Sequence, residues 1–313
     1  MLNILSCEMD KETVIRDTYH KRYYTIAGIT VQVESDTLIS SDIFNQKFTQ
    51  FESASPAPAD DVIIIRHHSW LPAIRTSDLG KKVYDTVPWQ IYRYQDKWVY
   101  ARVIPDTKQQ EIQSLSIFSD DYGFGEIYHS EKSEFFSSLK SNSLSFLPSD
   151  QIILAQALAY RSGCYMHACG IDWKDRGLLF LGESGAGKST IAKMFQGKAQ
   201  ILCDDRIIIR NHNGTFKIYG TWSHGDIKEI ANKGVPLQGI YILSKDGVSR
   251  VKAMNQKKEI VKNLFSCLIR PYVTVPWFQK ISETISLIAG SASCYRLFFN
   301  RSGDIVRLLD KNT

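Results

Sequence analysis

Nothing in these 313 residues is a run of apolar side chains long enough to cross a membrane, and no dense block of lysine and arginine marks a nucleic-acid surface. Neither a membrane nor a nucleic acid is therefore an expected partner. Cysteine is sparse. The six present (Cys7, Cys164, Cys169, Cys203, Cys267 and Cys294) form no C-x-x-C pair and no disulfide framework, which suits a reducing compartment. Cys164, His167 and Cys169 lie close in sequence, but no second half of a zinc site follows, so buried strand residues are expected there. The stretch Met1 to Cys7 faintly resembles a lipoprotein cleavage site but lacks a basic start and an adequate apolar segment. A cytoplasmic, soluble chain is the expectation. Two nucleotide-enzyme signatures are also missing. No L-S-G-G-Q segment supports a transporter-type ATPase, and Ser244-Lys245-Asp246 fails the [NT]-K-x-D pattern of regulatory GTPases in both residue and spacing.

What is present begins with ordinary globular composition, 43% hydrophobic and 23% charged, and a net charge of +5 that suits an anionic nucleotide or an acidic peptide. The strongest single signal is Gly182-Glu183-Ser184-Gly185-Ala186-Gly187-Lys188-Ser189-Thr190, which satisfies G-x-x-x-x-G-K-[ST] at every required position. The apolar run Leu178 to Leu181 precedes it and Ile191 to Phe195 follows it, giving the strand and the helix that such a loop needs. The glycines let the backbone close around an anion, Lys188 can reach the β- and γ-phosphates, and the Ser189 hydroxyl can ligate Mg²⁺.

The rest of the chain divides in character. Up to about residue 146 it reads as strands: Tyr23 to Val33 as one or two, Asp61 to Arg66 as another, Trp89 to Ile104 with a turn at Gln95-Asp96, and Ser114 to Tyr128, with a Pro/Ala/Ser loop at Ser53 to Ala59. A mainly antiparallel β domain over residues 1–146, open to an acceptor or partner role, is expected. Pro148-Ser149 then opens an apolar helix that Ser149 or Asp150 can cap and Gly163 can end. Strands are expected at Tyr165 to Trp173, at Leu178 to Leu181, at Gln200 to Cys203 and on either side of the Asn211-His212-Asn213-Gly214 turn. A strand near Ile240 to Leu243, helices over Lys258 to Leu268 and Val275 to Ala289, and two short strands around Tyr295 and Ile305 complete residues 147–313. The fold class is α/β or α+β, a mixed sheet with helices behind a β-rich first domain.

A phosphate loop needs carboxylates from a neighbouring strand, and Asp204-Asp205 supplies them. Adjacent residues point in different directions, so one can serve a metal while the other faces an acceptor hydroxyl. Met166-His167-Ala168, the phosphate loop and Cys203-Asp204-Asp205-Arg206 together resemble the nucleotide-binding half of the HPr kinase/phosphorylase family, whose core is related to ATP-dependent phosphoenolpyruvate carboxykinase. That family shows a Met-His-Gly strand, a G-[DE]-S-G-x-G-K-S loop and an Ala-Asp-Asp-Arg segment at similar spacings. The resemblance covers residues 150 to 225, and it implies that His167 lies beside the transferred phosphoryl group and that Asp205 accepts a proton from a serine hydroxyl. It further implies that Lys188 neutralises the phosphates of ATP while Ser189 and Asp204 hold Mg²⁺, with the roles of Asp204 and Asp205 open to exchange. The family's Glu-x-Arg-Gly-x-Gly segment is missing, and Gly220 to Asp226 stands in that region.

The absence of that segment argues against the family's phosphocarrier substrate. The whole chain instead resembles HPr-kinase-related proteins of peptide-modification systems, including lasso-peptide kinases. The resemblance implies a serine kinase acting on a peptide or protein, with Trp222, His224 and Arg206 as candidates for acceptor recognition or, for the first two, a structural turn. A kinase for free serine or a similar small alcohol, and a nucleotide-sensing module without transfer, are the alternatives. The sequence leaves the nucleotide and any self-association open.

Overall fold

The computed structural model describes residues 19–40, 43–56, 61–104, 111–130, 141–147, 149–245, 248–300 and 304–312. The Met1 to Cys7 stretch, the end of the Ser53 to Ala59 loop, Pro148 and Asp246 lie outside them. The chain divides into two compact units, Met1–Asp150 and Gln151–Thr313.

In the first unit, Ala27 and Gly28 both take positive φ (53° and 70°), the geometry of a tight hairpin turn. They split the expected Tyr23 to Val33 segment into β1 (His20–Ile26) and β2 (Ile29–Ser35). After β3 (Glu52–Ser53) come β4 (Asp61–His68), β5 (Lys81–Thr86), β6 (Trp89–Tyr94), β7 (Lys97–Val103), β8 (Ile112–Phe118) and β9 (Phe124–His129). They form one sheet in the order β3-β1-β2-β4-β9-β8-β7-β6-β5. The sheet is mixed, because β4 runs parallel to both β2 and β9 while the other neighbours are antiparallel. Alternating apolar residues cannot reveal that crossover, since the inward face looks alike in either direction. The edge strand β5 escapes sequence reading for another reason: its residues are almost all exposed and carry no alternation.

The second unit opens with α1 (Gln151–Ala159), in which every residue from Ile153 onward is buried. Asp150 does not cap it. Its Oδ1 accepts from the Ser143 hydroxyl (2.7 Å) and the Leu144 N–H (2.8 Å), so the carboxylate turns back into the preceding loop. Gly163, expected as the helix stop, is instead the first residue of β10 (Gly163–Trp173). Then follow β11 (Arg176–Leu181), α2 (Lys188–Phe195), β12 (Gln200–Cys203), β13 (Arg206–His212), β14 (Thr215–Tyr219), β15 (Gly234–Lys245), β16 (Arg250–Ala253), α3 (Lys257–Ser266), α4 (Val275–Ser291), β17 (Ser293–Phe299) and α5 (Asp304–Asn312). The segment around Ile305 is thus helix, not strand. Ile305 and Leu309, one helical turn apart, are both fully buried, and that four-residue spacing outweighs the β-branched pair Ile305-Val306.

Strand β10 belongs to two ladders. Gly163 to His167 pairs with β13, and Ala168 to Trp173 pairs with β11, with β12 on its other side. Because β15 pairs with both β14 and β11, the strands β11, β10, β13, β14 and β15 hydrogen-bond in a closed circuit. The sheet separates two apolar clusters. Even-numbered residues of β10 such as Cys164, Met166 and Ala168 face α3 and α4, while Cys169, Ile171 and Trp173 face α2 and α5.

Candidate functional site

The local sequence aims several strand ends at one place. Strands β11, β15 and β17 are parallel neighbours. Strand β12 is antiparallel to β10, which is antiparallel to β11, so β12 runs the same way as β11. The carboxyl ends of all four strands therefore share one edge. In sheets of this kind that edge is where ligands bind. It presents Asp204-Asp205 after β12, the phosphate loop after β11, Lys245 at the end of β15, and Phe299 with Asn300 at the end of β17. His167, at the crossover point of the antiparallel β10, joins them.

Between β11 and α2 the chain turns with Gly185 at φ 77° and Gly187 at φ 107°, values a side chain disfavours. At Gly187 a Cβ would also come within 2.6 Å of the Phe299 ring. The Lys188 ammonium donates to the carbonyls of Gly182 (2.8 Å) and Glu183 (3.2 Å), curling the loop over itself. Lys188 is 6% exposed, and burial draws its pKa below the ordinary lysine value. The loop borders a cleft of about 620 Å³ that is also lined by His167, Asp205, Asp226, Lys245, Phe299 and Asn300.

The two aspartates occupy different environments. Asp204 is fully buried and accepts three hydrogen bonds: from the Ser189 hydroxyl (3.0 Å), the Gly225 N–H (2.7 Å) and the Ile227 N–H (3.2 Å). Asp205 faces the cleft, with His167 Nε2 2.9 Å from its Oδ1 and the Arg206 guanidinium 2.6 Å from its Oδ2. Burial works to raise the Asp205 pKa, but the His167 hydrogen bond and the Arg206 charge outweigh it and leave it below the ordinary aspartate value. Asp205 is thus ionised at neutral pH and held in orientation from both sides. A hydroxyl and a carboxylate so close offer hard oxygen ligands of the kind that suits Mg²⁺, so Ser189 and Asp204 fit that ion by donor chemistry.

The remaining sequence candidates fall elsewhere. Trp222 is 1% exposed and is not among the residues lining the cleft, so here it packs within the turn. His224 is exposed, with Nδ1 2.9 Å from the Gly225 carbonyl. Arg206 also lies outside the lining, contacting Asp205 and, through Nε, Gln151 Oε1 at 3.3 Å. Among the described residues no group of three or more His, Cys, Asp or Glu side chains can hold a metal, and Cys164 and Cys169 point into opposite cores. Gly225 was not legible as a site residue. A Cβ there would lie 3.0 Å from Asp204 Oδ2 and 3.1 Å from Asp205 Cβ, so its bareness lets the N–H reach the carboxylate. Lys245, Phe299 and Asn300 were missed as well, because only strand order brings them in.

No helix among the described residues is long and apolar enough to cross a membrane. No curated protein matches the sequence. The solved structure of the Hpr(Ser) kinase/phosphatase from Coxiella burnetii is similar at 12% identity over 47% of this chain and 95% of that chain, with a TM-score of 0.27. The family described as SynChlorMet cassette protein ScmC matches residues 139–280, a stretch that includes the phosphate loop and both aspartates.

Proposed function

We propose that residues 151–313 are an ATP-dependent phosphotransferase of the cytoplasm that moves the γ-phosphoryl group to a serine hydroxyl of a peptide or protein. The observation that carries this reading is the His167–Asp205 pair opening on the same cleft as the phosphate loop. A module that only senses a nucleotide has no use for an oriented, ionised carboxylate beside the phosphates. In the proposed reaction the acceptor oxygen attacks the γ-phosphorus, the bond to the β-phosphate oxygen breaks, ADP leaves with that electron pair, and Asp205 takes the hydroxyl proton. His167 and Arg206 keep Asp205 aimed. Lys188 exchanges its two loop carbonyls for phosphate oxygens. Ser189 and Asp204 are the residues that would hold a Mg²⁺ ion, which when bound would neutralise further phosphate charge.

A carboxylate with a depressed pKa is a weak base, yet phosphoryl transfer through a loose transition state needs a well-placed proton acceptor more than a strong one. Asp205→Asn should therefore keep nucleotide affinity and lose about 10²- to 10⁴-fold in transfer. The experiment is single-turnover transfer from radiolabelled ATP with Mg²⁺ to serine-containing peptides and, separately, to free serine, with phosphoserine located by mass spectrometry. The matched family is described as a cassette protein, which makes products encoded beside this gene the first acceptors to try. Transfer at the wild-type rate by Asp205→Asn removes the base assignment, and label that never leaves ATP for any hydroxyl removes the kinase reading.

A further inference from the structure

The cleft has an end that the transfer chemistry does not use. His167 and Asp205 come from the β10 and β12 side of β11, whereas Lys245, Phe299 and Asn300 come from the β15 and β17 side. Lys245 and Phe299 are direct partners in the parallel register of β15 and β17. They share a face with Tyr241, Leu243 and Leu297, the face that packs on α2, so both approach the phosphate loop from the side where its helix begins. We propose that this end of the cleft holds the nucleoside of the nucleotide, with the base against the edge of Phe299 and the stem of Lys245, and with Asn300 hydrogen-bonding to it. The inference rests on the reading that the phosphate loop binds a nucleotide.

Three considerations converge on it. A nucleotide whose γ-phosphate points at Asp205 must send its nucleoside the other way, and the strands on that side are the parallel ones whose carboxyl ends form a crevice. The phosphate loop is also built against the proposed base site, because the absence of a side chain at Gly187 is what admits the Phe299 ring. Finally, Phe299 is 5% exposed and shows the cleft little of its ring, but that apolar margin beside a carboxamide and a cationic stem supplies the apolar and hydrogen-bonding contacts that a heteroaromatic base needs and bare phosphate does not. Ser244-Lys245 fails as a GTPase motif, yet its lysine stands in the cleft all the same.

The test separates nucleoside from phosphate binding. The full chain with Mg²⁺ is titrated calorimetrically with ADP, GDP and inorganic tripolyphosphate, using wild type, Asn300→Ala and Lys245→Met. Wild type should bind one diphosphate more tightly than tripolyphosphate. Asn300→Ala should weaken that diphosphate about tenfold while changing tripolyphosphate less than about twofold. Lys245→Met, which keeps the stem, should retain most of the difference between the two ligands. Equal loss for both ligands in Asn300→Ala, or no loss for either, overturns the nucleoside assignment while leaving the phosphate loop intact. Wild type that binds none of the three fails differently, because it removes the nucleotide reading itself.

Discussion

Both units bury ionisable side chains, and they use them in opposite ways. In the first, His67 and His129 are 1% and 2% exposed and satisfy each other, with Nδ1 of His67 3.1 Å from Nε2 of His129 and Nε2 of His67 2.9 Å from the Leu144 carbonyl. The carbonyl can only accept, so His67 carries its proton on Nε2, and its Nδ1 accepts from His129. That network is closed by protein atoms. In the second, Lys188 and Asp205 have protein partners but also border about 620 Å³ of open cleft. Burial alone does not mark a site. What marks it is a buried charge whose surroundings are shared between protein and a space that a ligand can enter.

The sharpest way to break this contrast is Lys188→Ala. It should lower nucleotide affinity by about 10²- to 10³-fold, roughly 3 to 4 kcal/mol, with little change in melting temperature, because the lysine's two acceptors are loop carbonyls close to the cleft. Calorimetric titration beside a thermal melt reads both quantities, and an unchanged affinity would end the phosphate-site assignment.

Acid should separate the units next. Burial lowers the His67 pKa to about 3 and holds His129 well below its ordinary value, with the neighbouring His68 adding to both. For such groups the unfolded chain binds more protons between pH 6.5 and the folded pKa, so stability is lost as pH falls through that window. Asp150 opposes this. Burial raises its pKa to about 6, so its folded form gains protons and some stability as pH falls from 7. The two histidines outweigh one aspartate, and from pH 7 to 5.5 the first unit should lose about 2 kcal/mol. Asp205, with its depressed pKa, adds no slope in that range because both folded and unfolded forms stay ionised. Hydrogen exchange by mass spectrometry at the two pH values should show protection falling across β4 and β9. Constant protection there would mean the pair titrates in the folded state.

The smallest expected effect is at Gly225. An added methyl would sit 3.0 Å from Asp204 Oδ2, so Gly225→Ala must push the turn away from the carboxylate, and transfer should fall about tenfold while the first unit is untouched. A turnover assay on the variant decides it, and wild-type turnover would show that the turn gives way without moving Asp204.

How much of this could be read in advance follows the same division. The phosphate loop and the aspartate pair were legible because each is contiguous and has a spacing fixed by its chemistry. Lys245, Phe299 and Asn300 were not, since they enter through the insertion of β15 between β11 and β17, a pairing that leaves no local trace. In the first unit the Gln95-Asp96 turn was legible, whereas Tyr23 to Val33 left one strand or two open, and only the positive φ of Ala27 and Gly28 divides it. The parallel placement of β4 did not. The segment of helix α5 favours strand in sequence because nine residues offer only about two and a half turns of periodicity and Ile305-Val306 lean towards strand.

The closed circuit of β11, β10, β13, β14 and β15 behaves like the hoop of a drum. An open sheet can fan or twist at its margins, but each member of a hoop is braced from both sides, and a tug on one is shared around the rim. The phosphate loop is mounted on that rim at the end of β11, and His167 stands where β10 passes from one arc to the next. Whatever enters the cleft would then meet a frame braced on both sides, leaving compliance to the side chains that line the opening.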